Sequence, residues 1–172
     1  MASDADVEDL IVASIRRILR AVDLHSRHLM EQHGITAPQL ATLAEASRLD
    51  GGTISSLARA VHLSQPTVSG IVHRLEARQL VQRERSEQDR RTVRIRVTDQ
   101  GEELLRSSPS LLQDRFRSEL AMLEDWERHA LLSSLERIAA MMDAESIKAA
   151  PVLDAGPLPT ETGHVEPPIE EG

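Results

Sequence analysis

Small polar and basic residues between Ser64 and Ala77 have the clearest chemical potential in this sequence. At about 100° per residue, the apolar positions of a helix here fall on one side, which identifies that side as core. They are Val68, Ile71, Val72 and Leu75. The outward set is Ser64, Gln65, Pro66, Thr67, Ser69, Gly70, His73 and Arg74. Hydroxyl, amide, imidazole and guanidinium groups on such a face suit close contact with base-pair edges. An ordinary amphipathic surface helix is the alternative.

A second basic group follows in a predicted β-hairpin. Polar and apolar residues alternate with period two before and after a polar connection, Ser86 to Arg91, which is too long for a tight turn and should project. Arg90, Arg91 and Arg94 lie at or beside this tip. Arginine is planar and weakly hydrated, so it suits the narrow, negative minor groove of A·T-rich DNA. A flexible basic loop that raises only non-specific affinity is the alternative.

The charge distribution indicates a polyanion as partner. Residues 51–96 carry nine arginines, four acidic residues and no lysine, a net charge of +5. The whole chain is at −8, which leaves −13 for the rest. Positive charge concentrated in one quarter of an acidic chain is typical of nucleic-acid contact. A domain of this kind that makes only protein contacts, which is the alternative, would not need this charge.

The histidines and the acidic residues offer little evidence for other chemistry. His25 and His28 are three residues apart on a predicted helix, with His33 further on, a spacing that could ligate zinc. Glu31 is the only adjacent acid and the chain has no cysteine, so no metal site is predicted. No G-x-S-x-G motif, glycine-rich phosphate loop or isolated acid pair occurs, so neither an enzyme nor a cofactor is predicted.

Long amphipathic helices flank this basic region. Asp6 is a candidate cap for a helix from Val7 to about Gln32, whose apolar stripe is too long to bury against its own small domain. Thr36 and Gln39 form a capping box for the next helix. Downstream, Thr98 or Asp99 opens a helix that Pro109 should bend or break, and Asp125 caps the last one. The apolar stripes of these helices predict a helical bundle that two chains share, and a bundle within one chain is the alternative.

Bulk composition limits the remaining possibilities. The length of 172 residues fits one domain, or one domain with tails. No apolar run reaches the ~18 residues of a membrane span, and the N-terminus lacks a signal peptide. The absence of cysteine fits a cytoplasmic protein and excludes a thiol-based oxidant sensor. From residue 149 onward, five prolines and five acids without a basic residue predict disorder.

Motifs spread over residues 35–105 resemble the MarR family of bacterial transcription regulators. They lie, in order, at Ile35–Leu40, Thr53–Ala58, Leu63–Glu76, Leu80–Arg83, Asp89–Arg91 and Val97–Leu105. The stretch 16–27 resembles a subgroup associated with compatible-solute operons. Four positions depart from the family pattern. His73 replaces an acid, Gln79 replaces a helix-ending glycine, His62 stands where a glycine often ends the preceding helix, and Ser56 replaces a capping glutamate.

The resemblance implies a mainly α fold with a small β-wing, a winged helix-turn-helix in a six-helix dimer. It implies a homodimeric repressor of a pseudo-palindromic double-stranded operator, with recognition helices roughly 34 Å apart. Asp89 would order the wing and Arg91 would insert into DNA. A small-molecule effector, if there is one, would bind near His25, Arg27, His28 and Ile35.

This interpretation divides the chain into four segments. Residues 1–34 are the N-terminal dimerisation helix and residues 35–99 the winged helix-turn-helix. Residues 100–148 are the C-terminal dimerisation helices, and residues 149–172 form a disordered, acidic, proline-rich tail.

Overall fold

The computed structural model describes residues 4–85, 92–147, 149 and 152–154, which form seven helices and one antiparallel two-stranded sheet. In chain order the elements are α1 (Asp4–His33), α2 (Ala37–Arg48), α3 (Ile54–Ala60), α4 (Gln65–Ala77), β1 (Val81–Arg85), β2 (Val93–Val97), α5 (Asp99–Ser107), α6 (Leu112–Ala121) and α7 (Asp125–Met141). The predicted mainly α fold with a β-wing is confirmed. The helix predicted to run across Pro109 is broken there, because proline has no N–H to donate, and its two parts are α5 and α6. This break makes seven helices of the expected six.

The core lies between α2, α3, α4 and the wing. Its fully buried side chains are Leu29, Ile35, Thr42, Leu43, Leu57, Val68, Val72, Leu75 and Ile95. All but Thr42 are aliphatic, and the Thr42 hydroxyl donates to the Pro38 carbonyl at 2.8 Å, so its burial leaves no donor unsatisfied. The helix-turn-helix and the wing thus share one continuous apolar centre.

Helix starts in this region follow local side-chain signals. The Gln39 side chain accepts a hydrogen bond from the Thr36 N–H at 3.2 Å, which confirms the reach-back of the predicted capping box. The Thr98 hydroxyl accepts from the Gly101 N–H at 3.1 Å and so caps α5. These bonds satisfy amide groups that have no partner inside the helix.

Two predicted caps are wrong. α1 is already helical at Asp4, so Asp6 lies inside the helix and does not cap it. α7 begins at Asp125 itself, and Glu124 is the cap residue. The Glu124 N–H donates to the Glu127 side chain at 2.9 Å, and this reciprocal capping box places the cap one residue before the predicted one.

The turn before α3 also belongs to the wing. The Ile95 N–H donates to the Gly52 carbonyl at 2.8 Å, in an antiparallel bridge to the edge of β2. Gly51 has a φ of +97°, which side chains rarely adopt. The turn at residues 50–52 therefore ties the start of the helix-turn-helix to the second wing strand.

Three helices carry exposed apolar surface. α6 and α7 contain no buried residue, and Leu29 is the only buried residue of α1 among the side chains that the structure describes. Large exposed side chains include Leu10, Ile11, Ile18, Leu19, Phe116, Trp126, Leu132 and Leu135. No helix in the described ranges combines the length and the apolar character needed to cross a bilayer. The single chain therefore leaves the predicted apolar stripes of these helices largely uncovered.

The structure describes residues 149 and 152–154 of the segment predicted to be disordered, and the disorder of the segment stays a prediction. Val152 is 8% exposed and belongs to the apolar core. Composition predicted disorder because the segment is poor in apolar residues, but one branched side chain can still be buried on a preformed surface. Val152 therefore packs against the domain after α7.

Candidate nucleic-acid interface

The start of α4 is held by the hydroxyl groups of its own first turn. The Ser64 oxygen accepts a hydrogen bond from the Thr67 N–H at 3.3 Å and lies 2.7 Å from the Thr67 hydroxyl. Pro66 lies in the first turn, where no intrahelical bond is lost. Ser64 is therefore the N-cap of α4, and the cap fixes where the first turn points.

α4 divides into a core face and an outward face. The four predicted core residues of the helix are buried. Of the predicted outward set, Ser64, Gln65, Pro66, Ser69, His73 and Arg74 are exposed, and Thr67 and Gly70 are half-buried. The predicted faces are thus confirmed, and the outward residues meet on one surface. Their contact with DNA stays a prediction.

Arg74 lies along its own helix. Its Nε donates to the Gly70 carbonyl at 3.2 Å. A Cβ on Gly70 would lie 3.6 Å from a terminal nitrogen of Arg74, so the missing side chain leaves room beside the guanidinium. To reach a base edge, Arg74 must exchange this intrahelical bond for one to DNA, at a net cost of about 1 kcal/mol that a bidentate guanine contact would exceed.

Two non-glycine residues end the helices of the helix-turn-helix in the left-handed conformation. His62 after α3 has a φ of +55°, and Gln79 after α4 has a φ of +59°. The Leu80 N–H donates back to the Leu75 carbonyl at 3.0 Å, the bond expected of a left-handed helix end. The expectation that Gln79 stands where glycine would fit without a steric clash is confirmed.

The wing is a regular hairpin up to its tip. β1 and β2 pair antiparallel from Val81 opposite Val97 to Arg85 opposite Val93. This register confirms the hairpin predicted from the alternation of residue types. The predicted tip residues Asp89, Arg90 and Arg91 lie outside the described residues, so their roles stay predictions.

Most arginines on the strands have partners within the chain. Arg83 pairs with Glu76 at 3.1 Å, and Arg96 pairs with Asp50 and Glu84, each at 2.7 Å. These pairs fasten the wing to α4 and to the turn before α3. They therefore reduce the positive charge that the strands present to a partner.

Arg94 also binds inward. It was predicted to approach DNA, but it is half-buried, and its Nη1 donates to the Gly51 carbonyl at 3.1 Å. A DNA contact by Arg94 stays a prediction and would compete with this bond.

The sequence interpretation missed two informative arginines. Arg85, at the end of β1, is exposed and makes no ion pair within the part of the chain that the structure describes. Arg78 follows α4 and reaches the far end of α1, donating to Gly34 and His33 carbonyls. Both belong to the arginine-rich region of the sequence, but only tertiary position separates an exposed arginine from one that binds another helix.

α5 is fastened to the end of α4. The Thr98 hydroxyl donates to the Gln79 carbonyl at 2.6 Å, and the Thr98 N–H donates to the Leu80 carbonyl at 3.1 Å. Gly101, in the first turn of α5, packs so closely that a Cβ there would lie 2.2 Å from the Leu80 oxygen. A shift of α5 is therefore transmitted to the base of the wing and to the end of α4.

The four residues predicted to bind an effector lie in different environments. Ile35 is fully buried, whereas Arg27 is exposed and pairs with Asp23 at 3.0 Å. His25 is partly buried, and its Nε2 accepts a hydrogen bond from the Leu112 N–H at 3.3 Å. Their shared role as a pocket stays a prediction.

His25 lies in an environment that disfavours its charged form. Burial lowers its pKa, the nearby His28 adds to the effect, and Asp154 opposes it. The hydrogen bond from Leu112 requires a neutral Nε2 as acceptor, which agrees with this direction. In the unfolded chain His25 has its ordinary, higher pKa and takes up a proton more readily. Protonation of His25 therefore lowers the free energy of unfolding as the pH falls through that ordinary pKa.

The remaining histidines of α1 do not gather around a metal position. The rings of His28 and His33 meet edge to face with centroids 6.4 Å apart. Within the described ranges, no group of three or more histidine, aspartate and glutamate side chains is placed to hold a metal ion.

An apolar groove separates α1 from α7. It measures about 440 Å³ and is lined by Val7, Leu10, Ile11, Ser14, Ile15, Ile18, Leu19, Leu135 and Ile138. None of the four predicted effector residues lines it. The groove coincides instead with the exposed apolar stripe of α1.

Comparison with known proteins points to one family. Residues 35–93 match the model of the MarR family. The uncharacterized HTH-type transcriptional regulator YsmB of Bacillus subtilis is 30% identical over 128 residues, 70% of this chain and 85% of YsmB. The HTH-type transcriptional repressor MdtR of the same organism is 24% identical, over 80% of this chain and 91% of MdtR. The Staphylococcus aureus MepR–DNA complex is 26% identical, with a TM-score of 0.55 over 76% of this chain and 96% of MepR.

Proposed function

Because this chain belongs to the MarR family of DNA-binding transcription regulators, we propose that it is a homodimeric repressor that binds a pseudo-palindromic operator. The observation that carries the proposal is the outward face of α4, where exposed polar and basic residues lie together at the capped start of the helix. A DNA-bound relative, MepR, supports it. Because its target is the genome, the protein would act in the cytoplasm.

The binding mode follows from the shapes of the two contacting elements. α4 would enter the major groove, where an α-helix fits and where each base pair presents a distinct pattern of donors and acceptors. Gln65, Thr67, Ser69 and Arg74 would read bases, and the other outward residues of α4 and its cap, Ser64, Pro66, Gly70 and His73, would lie against the groove. The wing tip would reach the adjacent minor groove.

The division of labour along the chain is part of the proposal. Residues 35–99 would bind DNA, and residues 1–34 and 100–148 would hold two chains together. The exposed apolar surfaces of α1, α6 and α7 support this division, since they lack cover in one chain. Two-fold symmetry would then set the recognition helices about one DNA turn, roughly 34 Å, apart.

A mobility-shift titration with the DNA upstream of the protein's own coding sequence tests this function. The wild-type protein should shift that fragment at concentrations at which random duplex of equal length stays free. If Arg74 reads a guanine, Arg74→Ala should reduce the difference in binding free energy between the specific fragment and random DNA by about 1–3 kcal/mol. Footprinting should then reveal a protected pseudo-palindrome.

Arg106→Ala is the matched control for charge. Arg106 pairs with Glu103 on α5, away from the outward face of α4, and its loss should leave the DNA preference unchanged. Equal weakening on specific and random DNA by Arg74→Ala would assign Arg74 to a phosphate. If the wild-type protein binds no fragment better than random DNA, the alternative of a winged helix used for protein contacts replaces the proposal.

The proposal extends to a small-molecule effector. A ligand releases DNA only if it binds more tightly to the dimer geometry that does not fit the operator. The region between α1 and the start of α6 is the proposed site, since His25 there is partly buried and bonded to Leu112. His28, Arg27 and Ile35 complete the proposed set.

A further inference from the structure

Arg78 joins two helices that are far apart in the sequence. It follows the last residue of α4, and its guanidinium reaches the C-terminal end of α1. Nη1 donates to the Gly34 carbonyl at 2.5 Å, and Nη2 donates to the His33 carbonyl at 3.1 Å. The contact thus links the proposed recognition helix to a proposed dimerisation helix.

The end of α1 suits a guanidinium. The last carbonyls of a helix have no intrahelical partner and carry the negative end of its dipole. Gly34 has a φ of +60°, and its N–H donates back to the Met30 carbonyl at 2.9 Å, which ends α1 at this point. Two donors in a rigid plane hold two successive carbonyls, so Arg78 constrains direction as well as distance.

Apolar packing alone would constrain this direction less. Leu29 and Ile35 are both fully buried and hold the end of α1 against the core. Apolar burial is non-directional, because it depends on the area removed from water and hardly on angle. Arg78 is exposed, so water competes for its bonds and their contribution to overall stability is small. Its larger effect should be on the angle between α1 and α4.

We infer that Arg78 is a positioning residue that fixes the angle of the recognition helix to the dimerisation helix and thereby sets the half-site spacing that the dimer accepts. This inference rests on the proposed function. In a two-fold dimer, α1 of each chain fixes the dimer axis, and α4 of each chain fixes a half-site. A change in the angle between α1 and α4 occurs in both chains, so the two changes add in the distance between the half-sites that the dimer can bind.

A spacing series tests the inference. Synthetic duplexes carry the footprinted operator with its half-sites at the natural separation, or moved by one or two base pairs in either direction. The wild-type protein should bind the natural spacing much more tightly than the others. Arg78→Ala should reduce that discrimination by about tenfold, the scale of one charge-assisted bond, while its thermal midpoint stays near that of the wild type. Arg78→Lys, which keeps one point donor, should fall between them.

The rival role is a phosphate contact, because Arg78 lies at the end of the proposed recognition helix. That role predicts uniform weakening at every spacing and a decrease of about 0.9 per lost contact in the slope of log affinity against log salt. This result would overturn the inference, as would an unchanged spacing profile in Arg78→Ala. Arg106→Ala should leave spacing preference and salt slope unaltered. A wild-type protein that binds no operator would instead refute the proposed function.

Discussion

Gly101 is the residue at which the packing between α5 and the wing is least tolerant. A Cβ there would lie 2.2 Å from the Leu80 carbonyl oxygen and 2.6 Å from Cγ1 of Val97. Backbone on one side and a strand side chain on the other leave no flexible group that can move away. The glycine in the first turn of α5 is therefore required for close approach, although the helix conformation itself would prefer alanine.

Gly101→Ala should destabilise the protein by about 1–3 kcal/mol, the usual cost of overpacking. Gly70→Ala is the matched control, because its Cβ would meet only an Arg74 nitrogen at 3.6 Å. That variant should gain up to about 1 kcal/mol in stability from helix propensity, yet bind DNA more weakly, since a methyl group enters the outward face. Urea denaturation and DNA titration of both variants measure the two effects. An unchanged denaturation midpoint in Gly101→Ala would contradict the packing argument.

The wing strands are rich in arginine, but most of these arginines bind groups within the chain, so the strands present little positive charge to a partner. Arg83 and Arg96 are paired with acids, and Arg94 binds the carbonyl of Gly51. These contacts hold both strands against α4 and the turn before α3. The two wing strands are thereby held in place, and any charge that the wing presents to DNA would come from Arg85 and the predicted tip residues.

The tip predictions separate an ordered wing from bulk charge. Arg91→Ala should weaken operator binding by more than the loss of one phosphate contact explains. One such contact accounts for a decrease of about 0.9 in the slope of log affinity against log salt. The variant should also lose the preference for A·T flanks. Asp89→Ala should also weaken binding, although it removes a negative charge, because Asp89 is predicted to pair with a nearby arginine and order the loop. Binding isotherms over a salt series measure both. If Asp89→Ala binds DNA more tightly at every salt concentration, the wing contributes only non-specific positive charge, and the prediction of an ordered wing is wrong.

At the scale of the molecule, the exposed apolar surface predicts association. Leu19 is 62% exposed and Trp126 is 72% exposed, and the groove between α1 and α7 is lined by apolar side chains. Exposed apolar area on this scale marks an interface more often than a free surface. The proposed dimer would bury it and would give α1 a fixed orientation.

Leu19→Glu should shift the protein toward monomer at micromolar concentration and weaken operator binding with it. The side chain is exposed in one chain, so the substitution should leave the fold intact. Arg20→Gln is the control, since it changes the net charge by the same one unit at the adjacent, exposed position on α1. Sedimentation velocity distinguishes the species. A wild-type protein that sediments as a monomer at this concentration would remove the basis of the proposed dimer.

Much of the helix-turn-helix and the wing could be predicted from sequence, because their signals act over short range. The Ser64 and Thr98 caps and the buried face of α4 depend on residues a few positions apart, and β1 pairs with β2 across one short connection. A cap or an apolar period is a property of one turn or one strand, and the chain carries it without reference to the rest of the fold. The resemblance to a known family added the arrangement of these parts.

Tertiary structure alone decided which charged and apolar groups are engaged. Arg78 meets Gly34 across 44 positions, Arg94 meets Gly51 across 43, and Val152 returns to the core from a segment whose composition predicted disorder. Residue types state what a side chain can bind, but the partner is set by distances that appear only when distant segments pack. A guanidinium looks the same in sequence whether it faces solvent, a carboxylate or a helix end, and its role differs because packing determines which of these lies within about 3 Å.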